Sequence, residues 1–169
     1  VRRAVVNILA LDLGTRTGWA LSENGRIESG VQVCDVKRGE SPGMRYVRFN
    51  RWLDEITWDR TRSHDQRRVG LVVYEAAHHR GGAATEILSG MATRVLEMCA
   101  RYPMEHASVH SATLKKFVTG RGNADKTQVA RYAVLKQWAT DGMDDNEVDA
   151  LCLLRYALIE LTVTARPER

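Results

Sequence analysis

No run of apolar residues in this chain approaches the ~20 needed to cross a bilayer, which excludes a membrane-spanning helix. Cysteine is scarce. Cys34, Cys99 and Cys152 are odd in number, far apart, and each set in an apolar run. That pattern excludes a disulfide framework and shows no zinc spacing, and it reads as buried thiols in a reducing cytoplasm. Repeats, low-complexity tracts and linkers are also missing. The opening Val1–Val6 lacks an initiator Met, is too short for a signal peptide and runs straight into a strand pattern, so the start reads as edited or processed. What is present is 169 residues, 44% hydrophobic and 27% charged, enough for one compact domain with a real core. The expectation is a single cytoplasmic domain over 1–169, frayed at 1–6 and 164–169.

The net charge is +4 with a pI of about 9.2, a weak pointer to a polyanionic partner on its own. Its distribution says more. Arg45, Arg48 and Arg51 recur at a fixed spacing, Arg60, Arg62, Arg67 and Arg68 precede a strand, and Lys115, Lys116, Arg121 and Lys126 surround a glycine-containing turn. Any one group could be a solvated face; several groups flanking the same acidic residues favour nucleic acid.

The pattern predicts strands at Asn7–Gly14, Gly18–Ser22 and Arg26–Cys34, the last two joined by an Asn24-Gly25 hairpin. A helix follows, opened by Ser41-Pro42 and running to about Trp58. Val69–Glu75 is a buried strand, Ala84–Arg101 an amphipathic helix, and His106–His110 a short strand. Helices at Ala112–Val118, Ala124–Trp138 and Asp144–Val163 complete the chain. This is an α/β domain: a mixed sheet of three antiparallel strands followed by parallel ones, with helices packed over it.

Carboxylates stand where a strand can least accommodate them. Asp12 interrupts an apolar run, and Glu75 ends the fourth strand. Each is expensive to bury unpaired. One such residue reads as a cap or an ion pair; two on adjacent strands suggest a metal site. At the last helix, Asp144-x-x-Glu147 fits a capping box and explains the acids of the first turn. It leaves Asp149, beside Val148, Ala150 and Leu151, facing inward. Clustered oxygens of this kind suit Mg²⁺, with Mn²⁺ a substitute, and two ions can serve a phosphodiester.

These segments resemble the RuvC-type Holliday junction resolvases of the RNase H-like superfamily. Ile8–Ala20 (ILALDLGTRTGWA) is similar to the opening motif, Glu75 to the second acidic motif, Thr113–Val129 to the basic segment, and Val148–Leu151 (VDAL) to the closing motif. The likeness runs in order from Ile8 to Leu158, and short phage-encoded members share such features. It implies a five-stranded RNase H-like sheet and a homodimer making paired nicks across branched DNA. It also implies Asp12, Glu75 and Asp149 as ligands of two Mg²⁺ ions, with Asp12 bridging them. Lys126 then assists catalysis, and Lys115, Lys116 and Arg121 join it in binding DNA. His78 and His79 stand where bacterial members often carry an aromatic, and with Arg80 are expected near the junction centre. Asn146 stands where the family carries Asp or His. Helix geometry lets both Asn146 and Asp145 share a face with Asp149; the family pattern selects Asn146 as the fourth ligand. The helix Ala84–Arg101, with Met91 and Met98, is as good a candidate for the dimer face as for core. The sequence names no helicase partner. Competing readings are a RuvX-type nuclease acting on RNA, a junction-binding protein that does not cut, and an actin-like ATPase, for which one lobe is too small.

Overall fold

The computed structural model describes residues 6–58, 67–76 and 81–161. Five strands form one mixed sheet: β1 (Ile8–Asp12), β2 (Arg16–Glu23), β3 (Arg26–Val33), β4 (Leu71–Glu75) and β5 (Glu105–Val109). Their spatial order is β3-β2-β1-β4-β5. The first three pair antiparallel, and β4 and β5 run parallel to β1, as the pattern predicted. At the β2–β3 hairpin Asn24 and Gly25 both take positive φ, 51° and 82°, which suits a two-residue turn matched to strand twist.

Strand alternation divides the core in two. Leu9, Leu11, Leu21, Val72 and Tyr74 face one side, where α1 (Met44–Thr57) and α2 (Ala83–Arg101) supply Phe49, Leu53, Met91 and Val95. Ile8, Ala10, Ala20 and Val73 face the other, beneath α5 (Asp145–Tyr156). On that side α3 (Ser111–Thr119) and α4 (Lys126–Leu135) pack outside α5. Covered by sheet beneath and helices above, α5 buries nearly every residue from Val148 to Leu154. It continues into a π-helical turn, Ala157–Leu161.

Several boundaries differ from expectation. Pro42 lies in a turn before α1, whose N-cap is Gly43. α4 is shorter at both ends. Asp125 caps it in a full capping box with Gln128, and Gln137, at φ 59°, turns the chain away after Lys136. The expected box at Asp144 does not form. Asp144 instead takes the N–H of Asn146, and Glu147 accepts from Ser29 Oγ at 2.6 Å.

The arginines expected to meet nucleic acid are partly spent inside the fold. Arg67 pairs with Asp54 at 2.8 Å and lies over the Tyr102 ring, Arg68 pairs with Glu23, Arg48 with Glu40 and Arg51 with Glu55. Arg60 and Arg62 lie outside the described residues. The wide apolar face of α2 is used in part within the chain, with Leu96 exposed and Ile87 and Leu88 half-buried. Met91 is fully buried against the sheet, and Met98 packs toward α1, where the Thr57 hydroxyl approaches its sulfur at 3.5 Å. Part of the breadth of that face is accounted for by two neighbours within the chain, the sheet and α1.

One contact sets the height of α5 above the sheet. Gly18 is paired across from Asp12, and a Cβ there would stand 1.8 Å from the carbonyl oxygen of Asn146. Backbone cannot yield as a flexible side chain can, so only glycine admits the helix start here. Gly18→Ala should lower unfolding free energy by about 3 kcal/mol or more, the upper range for overpacking, measured by urea denaturation. A loss below about 0.5 kcal/mol, the range of ordinary surface changes, would show that the approach is not tight.

Candidate active site

Asp12 ends β1 and Glu75 ends the parallel neighbour β4, where Leu11 pairs with Tyr74 one residue earlier. Alternation puts both carboxylates on the face that α5 covers, in step with Ile8 and Ala10 on β1 and Val73 on β4. Asp149 follows Asn146 by about one helical turn, so the helix start fixed at Gly18 carries it over the same strand ends. Three carboxylates from distant parts of the sequence thus share one field.

Their ionisation records the crowding. Asp12 is raised from 3.8 to about 8, first by burial and then by Asp149 and Glu75, with Lys126 acting the other way. Asp149 is raised to about 6, mainly by burial, with Lys126 opposing and Glu75 adding to the rise. Lys126 Nζ lies 3.7 Å from Asp149 Oδ2 and is itself exposed. Lys115, one helix away, also lowers Asp149. Of the cations expected around the centre, Lys115 and Lys126 therefore act on it directly. Lys116 and Arg121 are exposed nearby, on α3 and on the turn after its left-handed cap Gly120.

Asp145 is exposed, and its charge raises Asp149 without contacting it. Asn146 Nδ2 donates to Asp144 Oδ1 at 2.9 Å, a bond that engages the amide nitrogen and not the oxygen that would ligate a cation. His78, His79 and Arg80 lie outside the described residues.

Sequence reasoning passed over three supports. Arg16 pairs with Asp144 at 2.9 Å, joining the turn after Asp12 to the cap of α5 and holding Asp144 below the usual carboxylate range. The buried Thr17 hydroxyl donates to Gly14 O at 2.7 Å and accepts from Gly14 N–H at 3.4 Å, closing that turn. Gly18 provides the clearance already described. All three sit in the segment Gly14–Trp19, whose resemblance to a family motif was the available signal.

Whether this donor set fits a divalent cation can be judged from its chemistry. Among the described residues no three His, Cys, Asp or Glu side chains form a ready metal cluster. The donors are nonetheless all oxygen, and two of them are held above their ordinary pKa by burial and mutual repulsion, the condition a hard cation relieves. The set fits in chemistry and charge.

The fold is the RNase H-like mixed sheet. Among solved structures it is similar to Thermus thermophilus RuvC in complex with a Holliday junction substrate, at TM-score 0.71 and 18% identity, covering 97% of this chain and 100% of that one. It is also similar to Thermus thermophilus RuvC determined separately, at TM-score 0.70 and 18% identity, over 96% and 100%. No family model and no curated protein matches the chain.

The raised Asp12 carries a stability consequence. Its folded pKa is about 8 against 3.8 for the ordinary carboxyl. Native protein therefore holds a proton that the unfolded chain releases, and stability falls as pH rises between those values. Asp12→Asn should stabilise the chain in EDTA, with a gain that grows from about pH 4 to about pH 8 at up to about 1.4 kcal/mol per unit, then levels. Urea midpoints at about pH 5 and about pH 8 test this; a pH-independent difference would refute it.

Proposed function

We propose that this chain is a divalent-metal-dependent endonuclease that cuts branched DNA, four-way junctions above all, by paired nicks from a homodimer. The observation that carries the reading is the meeting of Asp12, Glu75 and Asp149 beside Lys126, on a fold shared with a RuvC solved on a Holliday junction substrate.

Asp12, Glu75 and Asp149 would hold Mg²⁺, or Mn²⁺ in its place, with Asn146 or Asp145 completing the set. Bound ions of this kind lower the pKa of water and stabilise charge on a phosphodiester. The chain's own residues supply the rest. Lys126 reaches Asp149 from an exposed position, so its ammonium can turn to an incoming phosphate and meet negative charge developing there. Lys115, Lys116 and Arg121 draw the backbone in by its charge and position it without reading sequence. Apolar packing around the strand ends keeps water sparse near Asp12, which strengthens each of these interactions.

A junction's near two-fold symmetry calls for a two-fold pair of subunits. The part of α2 that packs on neither α1 nor the sheet, with Leu96 exposed and Ile87 and Leu88 half-buried, is the surface we assign to that contact. Among the described residues no helix is long and apolar enough to cross a membrane, and action on DNA implies an intracellular site.

A second reading has one observation in its favour. Asn146 lacks charge and its amide is bound to Asp144, which would suit a protein that binds junctions without cutting. A labelled four-way junction incubated with and without Mg²⁺ separates the two. We expect cleavage only with the ion, abolished by Asp12→Asn while binding persists, and slowed roughly 10²-fold by Lys126→Ala, as for loss of one charge-stabilising donor. Tight junction binding with no cleavage, with or without Mg²⁺, would establish the second reading. Cleavage of RNA in preference to junctions would overturn both.

A further inference from the structure

Lys115, Lys116, Arg121 and Lys126 all stand on α3, α4 and the turn between them, which follow the edge strand β5. The opposite edge of the sheet carries a second cationic feature. β3 ends at Val33, paired with Arg16, and the next residue, Cys34, donates its N–H to Thr15 O at 2.7 Å. Segment 35–43 therefore leaves the sheet from the same end that presents Asp12.

This segment is tightly built. Glu40 N–H donates to Lys37 O at 3.1 Å, with Gly39 at φ 84° in the turn position that favours glycine. One Glu40 carboxylate oxygen accepts from Lys37 N–H at 2.8 Å and the other from Arg48 at 2.6 Å. Arg48 also donates to Asp35 O at 2.9 Å, tying the segment to α1. The charge of Glu40 is thus met by Arg48 and by backbone. Lys37 and Arg38, both exposed at the turn, have no ion-pair partner among the described residues.

The sheet is four strand spacings wide, roughly 19 Å at about 4.8 Å each. Strands β1 and β4 carry the carboxylates; Lys115 and Lys126 act on Asp149 from the helices packed on α5, while the Lys37–Arg38 turn leaves from the far edge strand β3. Two separate sets of exposed cations, one on the α3–α4 side of the carboxylates and one at the β3 edge, suit a polyanion with more than one arm. A preformed turn also loses little conformational freedom on binding.

We propose that Lys37 and Arg38 form a second phosphate-binding surface, which grips the backbone of a DNA arm other than the arm being cut. The proposal rests on the branched-DNA reading, and gives that reading a source of preference for branched over linear DNA.

The test compares wild-type protein with Lys37→Ala/Arg38→Ala by fluorescence anisotropy in EDTA, on a four-way junction and on a linear duplex of the cut arm. Both substitutions lie on an exposed turn, and matched urea midpoints confirm an intact fold. The variant should lose junction affinity while duplex affinity holds. Two lost phosphate contacts lower the salt slope by about 1.8, so the junction deficit should be about tenfold larger at 50 mM than at 200 mM salt. Lys37→Glu/Arg38→Glu should deepen the same loss. Equal losses on junction and duplex would place the turn on the cut arm and overturn the proposal, as would no loss on either. Wild-type protein that fails to prefer the junction would overturn the branched-DNA reading itself, a result distinct from either of these.

Discussion

The arrangement depends on how closely a helix end can approach a strand. At Gly18 the sheet meets the Asn146 carbonyl with no room for a side chain. Because Gly18 is paired with Asp12, this contact sits directly across the ladder from the most perturbed carboxylate. It fixes where α5 begins, and so where Asp149 stands relative to β1 and β4. The ion pair between Arg16 and Asp144 and the bond from Ser29 to Glu147 fasten the same helix start from either side. Packing then completes the placement, as Val148 to Leu154 sink into the layer between sheet and outer helices.

That placement opposes the electrostatics. Asp12 and Asp149 are brought toward each other and toward Glu75 in a partly desolvated setting, and the hydrophobic packing of α5 overrides their repulsion. Lys126 offsets some of it, but from the rim, by a long and exposed contact. A centre whose crowded, buried carboxyls hold their protons more tightly than usual, with cations only at its margins, favours a cation that can take the place of those protons. The arginines fixed within the fold, Arg67 and Arg68 among them, add nothing to that field's outer reach because their charge is already matched.

Much of this could be read from residue order. The apolar runs around Leu9 and Val72 allowed few alternatives to buried strands, and Asn24-Gly25 left one plausible turn. Asp12 and Glu75 were visible because each carboxylate violates its own run. Asp149 was visible because helix-end electrostatics explain its neighbours and not it. Other features depend on three-dimensional proximity that periodicity does not encode. The breadth of the apolar face on α2 gave no indication that α1 would cover part of it. Asp144-x-x-Glu147 has the spacing of a capping box, but Ser29, distant in sequence, offers Glu147 a better partner. The capping box at Asp125 and Gln128 was equally available in sequence and was obscured by the apolar pattern that seemed to start the helix earlier. Gly18 is indistinguishable in sequence from any strand glycine until the carbonyl above it is seen.

The carboxylate centre draws on strands near the start and middle of the chain and on a helix near its far end. Asp12 and Glu75 can be aligned once β1 and β4 pair, but Asp149 joins them only when α5 docks. During synthesis the amino-terminal part emerges first, and for most of that time the assembled strands lack their third acid and the layer that desolvates the other two. An incomplete chain is therefore held without the full charge cluster by the order of its segments. The full cluster of Asp12, Glu75 and Asp149 forms only with the docking of that one helix.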